Sequence, residues 1–337
     1  MMKYRLLGRS GLRVSELALG TMTFGTDWGW GADEDTCLAM FERFVEAGGN
    51  LIDTACNYTD GTAERIVGKC VAEDRDRFVV ATKYTLTTDK SDPNAGGNHR
   101  KNMRRTVRDS LERLGTDYID LLYLHMWDDT TPLVEVLRAM DDLVRSERVH
   151  YVAFSDTPAW VVSQAVTLAE QHGWTVPVAV QVPYSAFSRD IERDVLPMAD
   201  ALGLAVFVWG VLGSGALTGK HLEGEEGGRV KELRDSTAER VRRFVDIAER
   251  LGTTPVALAV AWARSHPMAG GPIPILGART VEQLDGQLAA IDVELDQETW
   301  QEIAEIKDFD LGFPRGFLEE DYVLELVHGD FVDHLAR

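Results

Sequence analysis

Eight short apolar runs, most rich in β-branched residues, punctuate the chain, with helical periodicity in most of the stretches between them. They are Glu16–Gly20, Leu51–Thr54, Phe78–Thr82, Ile119–Leu124, Tyr151–Phe154, Val178–Val182, Ala205–Val208 and Ile273–Ile275. Most are apolar at successive positions, so both faces of each strand are buried, as in a parallel sheet covered by helices. Between them, Asp35–Ala47 places Cys37, Met40, Phe41, Phe44 and Val45 on one helical face, and Gly48-Gly49 stops it. Lys101–Leu114 and Pro132–Val144 repeat that pattern. Thr157-Pro158 and Thr254-Pro255 each read as an N-cap followed by proline at the first helical position, and Thr280-x-x-Gln283 as a capping box.

Strand–helix alternation repeated eight times predicts an α/β fold, the closed (β/α)8 TIM barrel. The competing arrangement is an open doubly wound sheet. A dinucleotide-binding sheet of that kind usually carries GxGxxG after its first strand, and Gly20-Thr21-Met22-Thr23-Phe24-Gly25 does not fit. Three segments interrupt the alternation. Residues 3–14 read as an N-terminal β-hairpin around Gly8-Arg9-Ser10-Gly11, and residues 86–100 as a long polar loop. Before the eighth strand comes an insertion with a flexible loop at Gly224–Gly228 and two helices beyond it. No linker divides the 337 residues, so one domain spanning 1–337 is expected, with an extra C-terminal segment beyond the barrel.

Charge and composition narrow the partners. A formal net charge of −20 repels nucleic acid and anionic membrane at long range, yet leaves room for a local basic pocket that takes a small anion. No apolar run approaches the ~20 residues of a membrane span. The N-terminal residues lack the apolar stretch of a signal peptide, so a cytoplasmic location is expected. Cys37, Cys56 and Cys70 show no CxxC spacing and read as reduced, buried thiols. Nothing here sets an oligomeric state.

In such a barrel the chemistry sits at the C-terminal ends of the strands. Strand two ends at Asp53 with Tyr58 just beyond, strand three at Lys83 and strand four at His125. Three consecutive strands therefore aim these four residues at one space. A tyrosine with a pKa of about 10 is a poor acid, and a nearby ammonium lowers that value. An aspartate can hold the lysine, and a histidine can hydrogen-bond a carbonyl. Together the four are equipped to protonate a developing alkoxide. Singly, each residue is better read as a cap, a solvated charge or a packed side chain; order and placement give the set its weight.

These residues resemble the aldo-keto reductase superfamily. The matching stretches are Leu51-Ile52-Asp53-Thr54-Ala55-Cys56-Asn57-Tyr58, Ala81-Thr82-Lys83 and Asp120-Leu121-Leu122-Tyr123-Leu124-His125. The opening Tyr4-Arg5-x-Leu7-Gly8-x-Ser10-Gly11-Leu12-x-Val14-Ser15, followed by Leu19-Gly20-Thr21, is similar to the bacterial and potassium-channel-β-like branch. The resemblance implies reversible NADP(H)-dependent carbonyl reduction without a metal, with Tyr58, Asp53, Lys83 and His125 as the catalytic tetrad. It implies that Ser155, Asp156 and Gln181 hold the nicotinamide carboxamide and that Tyr184 stacks on the ring. Thr21, Trp209 and the segment Leu212–Lys220, Gly215 included, would line the rest of the cofactor. Gly277, Arg279, Thr280, Gln283 and Gln287 would receive the adenosine 2′-phosphate end. A helix N-terminus and the Arg279 fork suit that anion. The sequence departs from the family pattern at Asp156, where Asn is usual, at Trp209-Gly210-Val211, which replaces a Tyr-Ser-Pro type of turn, and at Gly286-Gln287, which replaces Glu-Asn.

Trp28, Trp30 and Trp127 follow strands one and four and are placed to line a mouth for a small carbonyl or alcohol substrate, such as a sugar or a flat aromatic. Phe309, Phe313, Phe317, Tyr322 and Phe331 are expected to fold over that mouth. Other functions compete. A cofactor-sensing regulatory protein would keep this fold with little turnover. A metal-dependent hydrolase lacks HxH and HExxH spacing among the eight histidines. A retaining glycosidase would leave the Tyr-Lys-His set unexplained.

Overall fold

The structure is a computed structural model that describes residues 1–222, 235–268 and 270–334. The expected hairpin forms from β1 (Tyr4–Leu6) and β2 (Arg13–Ser15), antiparallel with Tyr4 opposite Ser15. Eight parallel strands then close a barrel: β3 (Ala18–Gly20), β4 (Leu51–Asp53), β5 (Val79–Tyr84), β6 (Ile119–Leu124), β7 (Val149–Ser155), β8 (Ala179–Pro183), β9 (Ala205–Trp209) and β10 (Ile273–Gly277), with β10 pairing back onto β3. Helices α1 (Glu34–Glu46), α2 (Thr62–Val71), α3 (Arg100–Leu114), α4 (Leu133–Arg145), α5 (Ala159–His172) and α6 (Val195–Leu202) connect successive strands. Two helices, α7 (Asp235–Arg250) and α8 (Pro255–Arg264), precede β10, and α9 (Val281–Leu288) follows it. The chain then runs through α10 (Gln297–Ala304), α11 (Arg315–Leu318) and α12 (Asp321–His328). The loop expected at Gly224–Gly228 lies outside the described residues. No described helix is long and apolar enough to cross a membrane.

The successive apolar positions divide between two cores. Leu51, Val79, Ala81, Leu121, Ala153 and Phe207 fill the barrel interior. Ile52, Val80, Leu122, Val152, Val180 and Val206 point outward under the helices. Leu7 and Val14 of the hairpin join the interior cluster, so the hairpin plugs the barrel floor. Gly8 makes the close approach there: its φ is +53°, and a Cβ would stand 2.2 Å from the Val178 carbonyl oxygen. No other residue type fits that position.

The capping expectations divide. Thr254 accepts from the Ala257 N–H with Pro255 inside the helix, and Thr280 accepts from the Gln283 N–H. Thr157 is a correction. Its hydroxyl donates to the Ser155 carbonyl instead, and Pro158 is the N-cap of α5 with no side-chain bond. The bulky strand-end turn takes the hydroxyl before the helix can use it.

Candidate active site

Period-two alternation carries the interior face of each strand upward from apolar to polar. On β4 the inward residues are Leu51 and then Asp53; on β5 they are Val79, Ala81 and then Lys83. Lys83 is fully buried, and its ammonium spends all three donors. It donates to Asp53 Oδ1 at 2.6 Å, to the Thr54 carbonyl at 2.8 Å and to the Tyr58 hydroxyl at 3.3 Å. Asp53 Oδ2 accepts from Gln181 Nε2 at 2.8 Å, which ties β4 to β8 across the barrel. His125 follows β6, and its ring meets that of Tyr58 edge-on at 6.0 Å. The His125 N–H donates to the Tyr84 carbonyl at 3.2 Å, and the loop below is braced by Asn98, whose amide donates to Thr85 Oγ1 and to the Met126 carbonyl. The four tetrad residues thus meet in one space.

Tyr58 arrives on a turn that ordinary sequence signals do not reveal. Thr59 and Asp60 follow it at φ 44° and 54°, and Gly61 at 89°. A β-branched residue at positive φ is strained, and such strain persists only where neighbours hold it. Here the buried Thr59 hydroxyl donates to the Phe24 carbonyl at 2.6 Å and accepts from the Ala63 N–H at 3.0 Å.

Burial dominates the electrostatics. It pushes the Tyr58 phenol above its ordinary range, although Lys83 pulls the other way. The expectation of a net lowering by lysine is corrected here: desolvation of the phenolate outweighs the ammonium. Burial also disfavours the Lys83 ammonium, yet Asp53 and then Tyr58 hold its pKa above normal. His125 is depressed to about 3 by burial and then by Lys83, so its imidazole is neutral at physiological pH. Its Nδ1 is buried without a hydrogen-bond partner among the described residues. The arrangement is a neutral phenol held against an ammonium, beside a neutral imidazole: a proton donor and a hydrogen-bond donor around one point.

Residues 16–308 match the aldo/keto reductase family model. The chain belongs to the aldo/keto reductase family. It is 39% identical over 330 residues to norsolorinic acid reductase A of Aspergillus parasiticus, covering 94% of this chain and 84% of that one. It is 35% identical over 349 residues to a putative aryl-alcohol dehydrogenase of Saccharomyces cerevisiae, covering 95% and 90%. An aryl-alcohol dehydrogenase of Pestalotiopsis microspora is 36% identical over 327 residues, covering 94% and 85%.

In this aldo/keto reductase the remaining expected site residues spread around the barrel mouth, with one exception. Ser155 ends β7 and Gln181 lies beside it on β8, both buried. Asp156, at φ 40°, accepts a side-chain hydrogen bond from Trp209 at the end of β9. Trp209 is 41% exposed at the mouth. Tyr184 is the exception and a correction. It is buried outside the barrel, stacked on Trp262 at 5.0 Å, and its hydroxyl donates to Glu192 at 2.6 Å. Tyr184 keeps the outward parity of Val180 and Val182, so its ring faces the outer core and not the mouth. Trp209 is the aromatic that the strand end leaves there.

The other expected cofactor residues run from the mouth to α9. Thr21 is buried with its hydroxyl on the Asp53 carbonyl. The turn from Gly210 through Leu212 and Gly215 to Lys220 has positive φ at Gly210, Gly213, Ser214, Gly215 and Gly219. A Cβ built on Gly210, Gly215 or Gly277 would meet nothing within 4 Å, so open space adjoins these three positions. Arg279 is exposed, and its backbone N–H donates to Gln283 Oε1 at 2.9 Å. Gln287 is buried, with Nε2 on the Gly277 carbonyl and Oε1 left without a partner among the described residues. Open space at these glycines and a helix N-terminus beside an exposed guanidinium fit an extended dinucleotide. One group was not foreseen: Glu282 accepts from its own N–H and from Thr280 at the same helix start, which lowers its pKa.

The tryptophans form part of the outer rim. Trp28 and Trp30 lie 5.6 Å apart, and the Trp28 N–H donates to Asp60. Trp30 is exposed, while Trp127 packs partly into the outer core, its N–H on the Asp156 carbonyl. The C-terminal segment docks on the β8–α6 connection. Arg189 and Arg193 lie 4.9 and 4.7 Å from the Phe309 ring, and Arg193 also donates to the Asp310 carbonyl. Phe313, Phe317, Tyr322 and Phe331 are exposed to solvent, with Phe317 in ring contact with both Phe313 and Tyr322.

Proposed function

We propose that this protein is an NADP(H)-dependent oxidoreductase that reversibly reduces aldehydes or ketones, with aromatic carbonyl compounds as its substrate class. The observation that carries the reading is the Lys83 ammonium, held by Asp53 and touching the Tyr58 hydroxyl. Tyr58 is the general acid, Lys83 stabilises the phenolate it leaves, and Asp53 holds Lys83. His125 orients the carbonyl oxygen. With its proton on Nε2, the neutral imidazole donates to that oxygen and leaves Nδ1 as the unpaired acceptor. Ser155, Asp156 and Gln181 would take the carboxamide, and Trp209 the ring face in place of Tyr184. Thr21, Leu212, Gly215 and Lys220 would border the phosphates, and Gly277, Arg279, Thr280, Gln283 and Gln287 the adenosine end. Bound there, the nicotinamide supplies hydride to the carbonyl carbon or accepts it in reverse.

The substrate class draws on the aryl-alcohol and norsolorinic acid names of the relatives and on the indole pair of half-buried Trp28 and exposed Trp30 at the rim. Those reductase and dehydrogenase names also favour turnover over cofactor sensing. A bacterial, channel-β-like placement draws no support from these fungal relatives. The test mixes the protein with NADPH or NADH and a panel of aromatic aldehydes, aldoses and keto sugars, following cofactor absorbance. Aromatic aldehydes should consume NADPH fastest, and NADH poorly. If no carbonyl compound oxidises bound NADPH, the sensing role replaces this one.

A further inference from the structure

Asp156 stands where this family's pattern has an uncharged asparagine, and its surroundings give that difference a direction. Its backbone N–H donates to the Gln181 carbonyl at 3.1 Å, and its carbonyl accepts from the Trp127 N–H at 3.4 Å. Its carboxylate accepts from Trp209, so the side chain spans the rim from the end of β7 to the end of β9, above Gln181. It is half-buried, and burial raises its pKa although Trp209 and Lys83 pull it down; ionised, its charge reaches both Tyr58 and Lys83. The Lys83 ammonium is paired directly with Asp53 at 2.6 Å, and Asp156 interacts with it at longer range. With Asp156 ionised and Tyr58 and His125 neutral, this centre holds one negative charge in excess. An asparagine at 156 would leave it neutral.

An uncompensated charge in a partly desolvated site is unfavourable, and a cation entering beside it relieves the imbalance. The two forms of a nicotinamide cofactor share their phosphates and differ at the ring, which is cationic when oxidised and neutral when reduced. We infer that Asp156 is a specificity-determining residue for cofactor oxidation state, making the site hold NADP+ more tightly relative to NADPH and tilting the bound equilibrium towards NADP+ and alcohol, the direction of carbonyl reduction. The inference rests on the proposal that a nicotinamide occupies this mouth. Shared hydrogen bonding to the carboxamide, by contrast, would act on both forms alike.

The test is a pair of binding titrations, NADP+ and NADPH, read by quenching of tryptophan fluorescence without substrate. They are run on the wild type, Asp156→Asn and Arg279→Ala. Asparagine tolerates the positive φ as aspartate does and keeps an oxygen for Trp209. In Asp156→Asn the ratio of the NADP+ Kd to the NADPH Kd should rise by roughly five- to fiftyfold, the scale of one partly screened charge pair. Arg279→Ala should weaken both forms by the same factor and leave the ratio unchanged. An unchanged ratio in Asp156→Asn, with both forms weakened together or neither, overturns the inference while leaving the cofactor assignment intact. A wild type that binds neither form overturns both.

Discussion

The Tyr58 hydroxyl is pulled in two directions, and the balance decides its use. Burial favours the neutral phenol, while Lys83 favours the phenolate. At neutral pH the phenol keeps its proton, which suits donation in reduction; in oxidation it must first lose it. Removing the ammonium leaves burial and the Asp53 charge, both of which raise the phenol pKa further. In Lys83→Met, the pH midpoint of alcohol oxidation, followed from about pH 8 to 11, should therefore move upward. A midpoint that stays in place or falls would contradict the role given to Lys83. The observed value belongs to the coupled Tyr58–Lys83 pair, not to either residue alone. The four residue types and their strand-end positions were readable in the sequence. The sign of the net shift was not, because desolvation depends on how completely the barrel encloses the ring.

Strands and helices were legible where hydrophobic period alone determines them; the segments just past their ends were not. The apolar run at β5 correctly located a strand, which continues to Tyr84, so Lys83 sits inside the sheet and not after it. Tyr184 lies three residues beyond Gln181, an odd offset, so period-two alternation puts it with Val180 and Val182 in the outer core and not at the mouth. The turn after β4 is a hidden element. Its positive-φ threonine carries no glycine signature, and its anchor on Phe24 lies 35 residues away. Thr59→Val keeps the branched shape and removes both hydrogen bonds. It should destabilise the protein by about 1–3 kcal/mol through the unpaired Phe24 carbonyl and Ala63 N–H. It should also lower kcat more than cofactor affinity, since Tyr58 rides on this turn. Unchanged melting and turnover would show that the strained turn is held by packing alone.

Across the whole molecule, the barrel closes one end with a hairpin and gathers its ionisable groups at the other. That gathering has a stability consequence. His125 stays neutral in the fold down to about pH 3, whereas in the unfolded chain it titrates near its ordinary value. Below about pH 6.5 the unfolded chain binds a proton that the fold refuses, so stability should fall by up to about 1.4 kcal/mol per pH unit. His266, lowered chiefly by burial, acts in the same sense. Melting temperatures between about pH 6.5 and 5 should decline, and His125→Gln should flatten that slope by one proton; an identical slope in the variant would exclude the buried neutral histidine. The central claim, that Tyr58 delivers the proton while a nicotinamide delivers the hydride, is tested most directly by a single-turnover experiment. Tyr58→Phe is loaded with NADPH, its affinity is measured by fluorescence quenching, and it is mixed rapidly with an aromatic aldehyde that the wild type reduces. NADPH should bind as in the wild type, and its oxidation should slow by at least about 10²–10⁴-fold. Oxidation at the wild-type rate with cofactor fully bound would contradict the account.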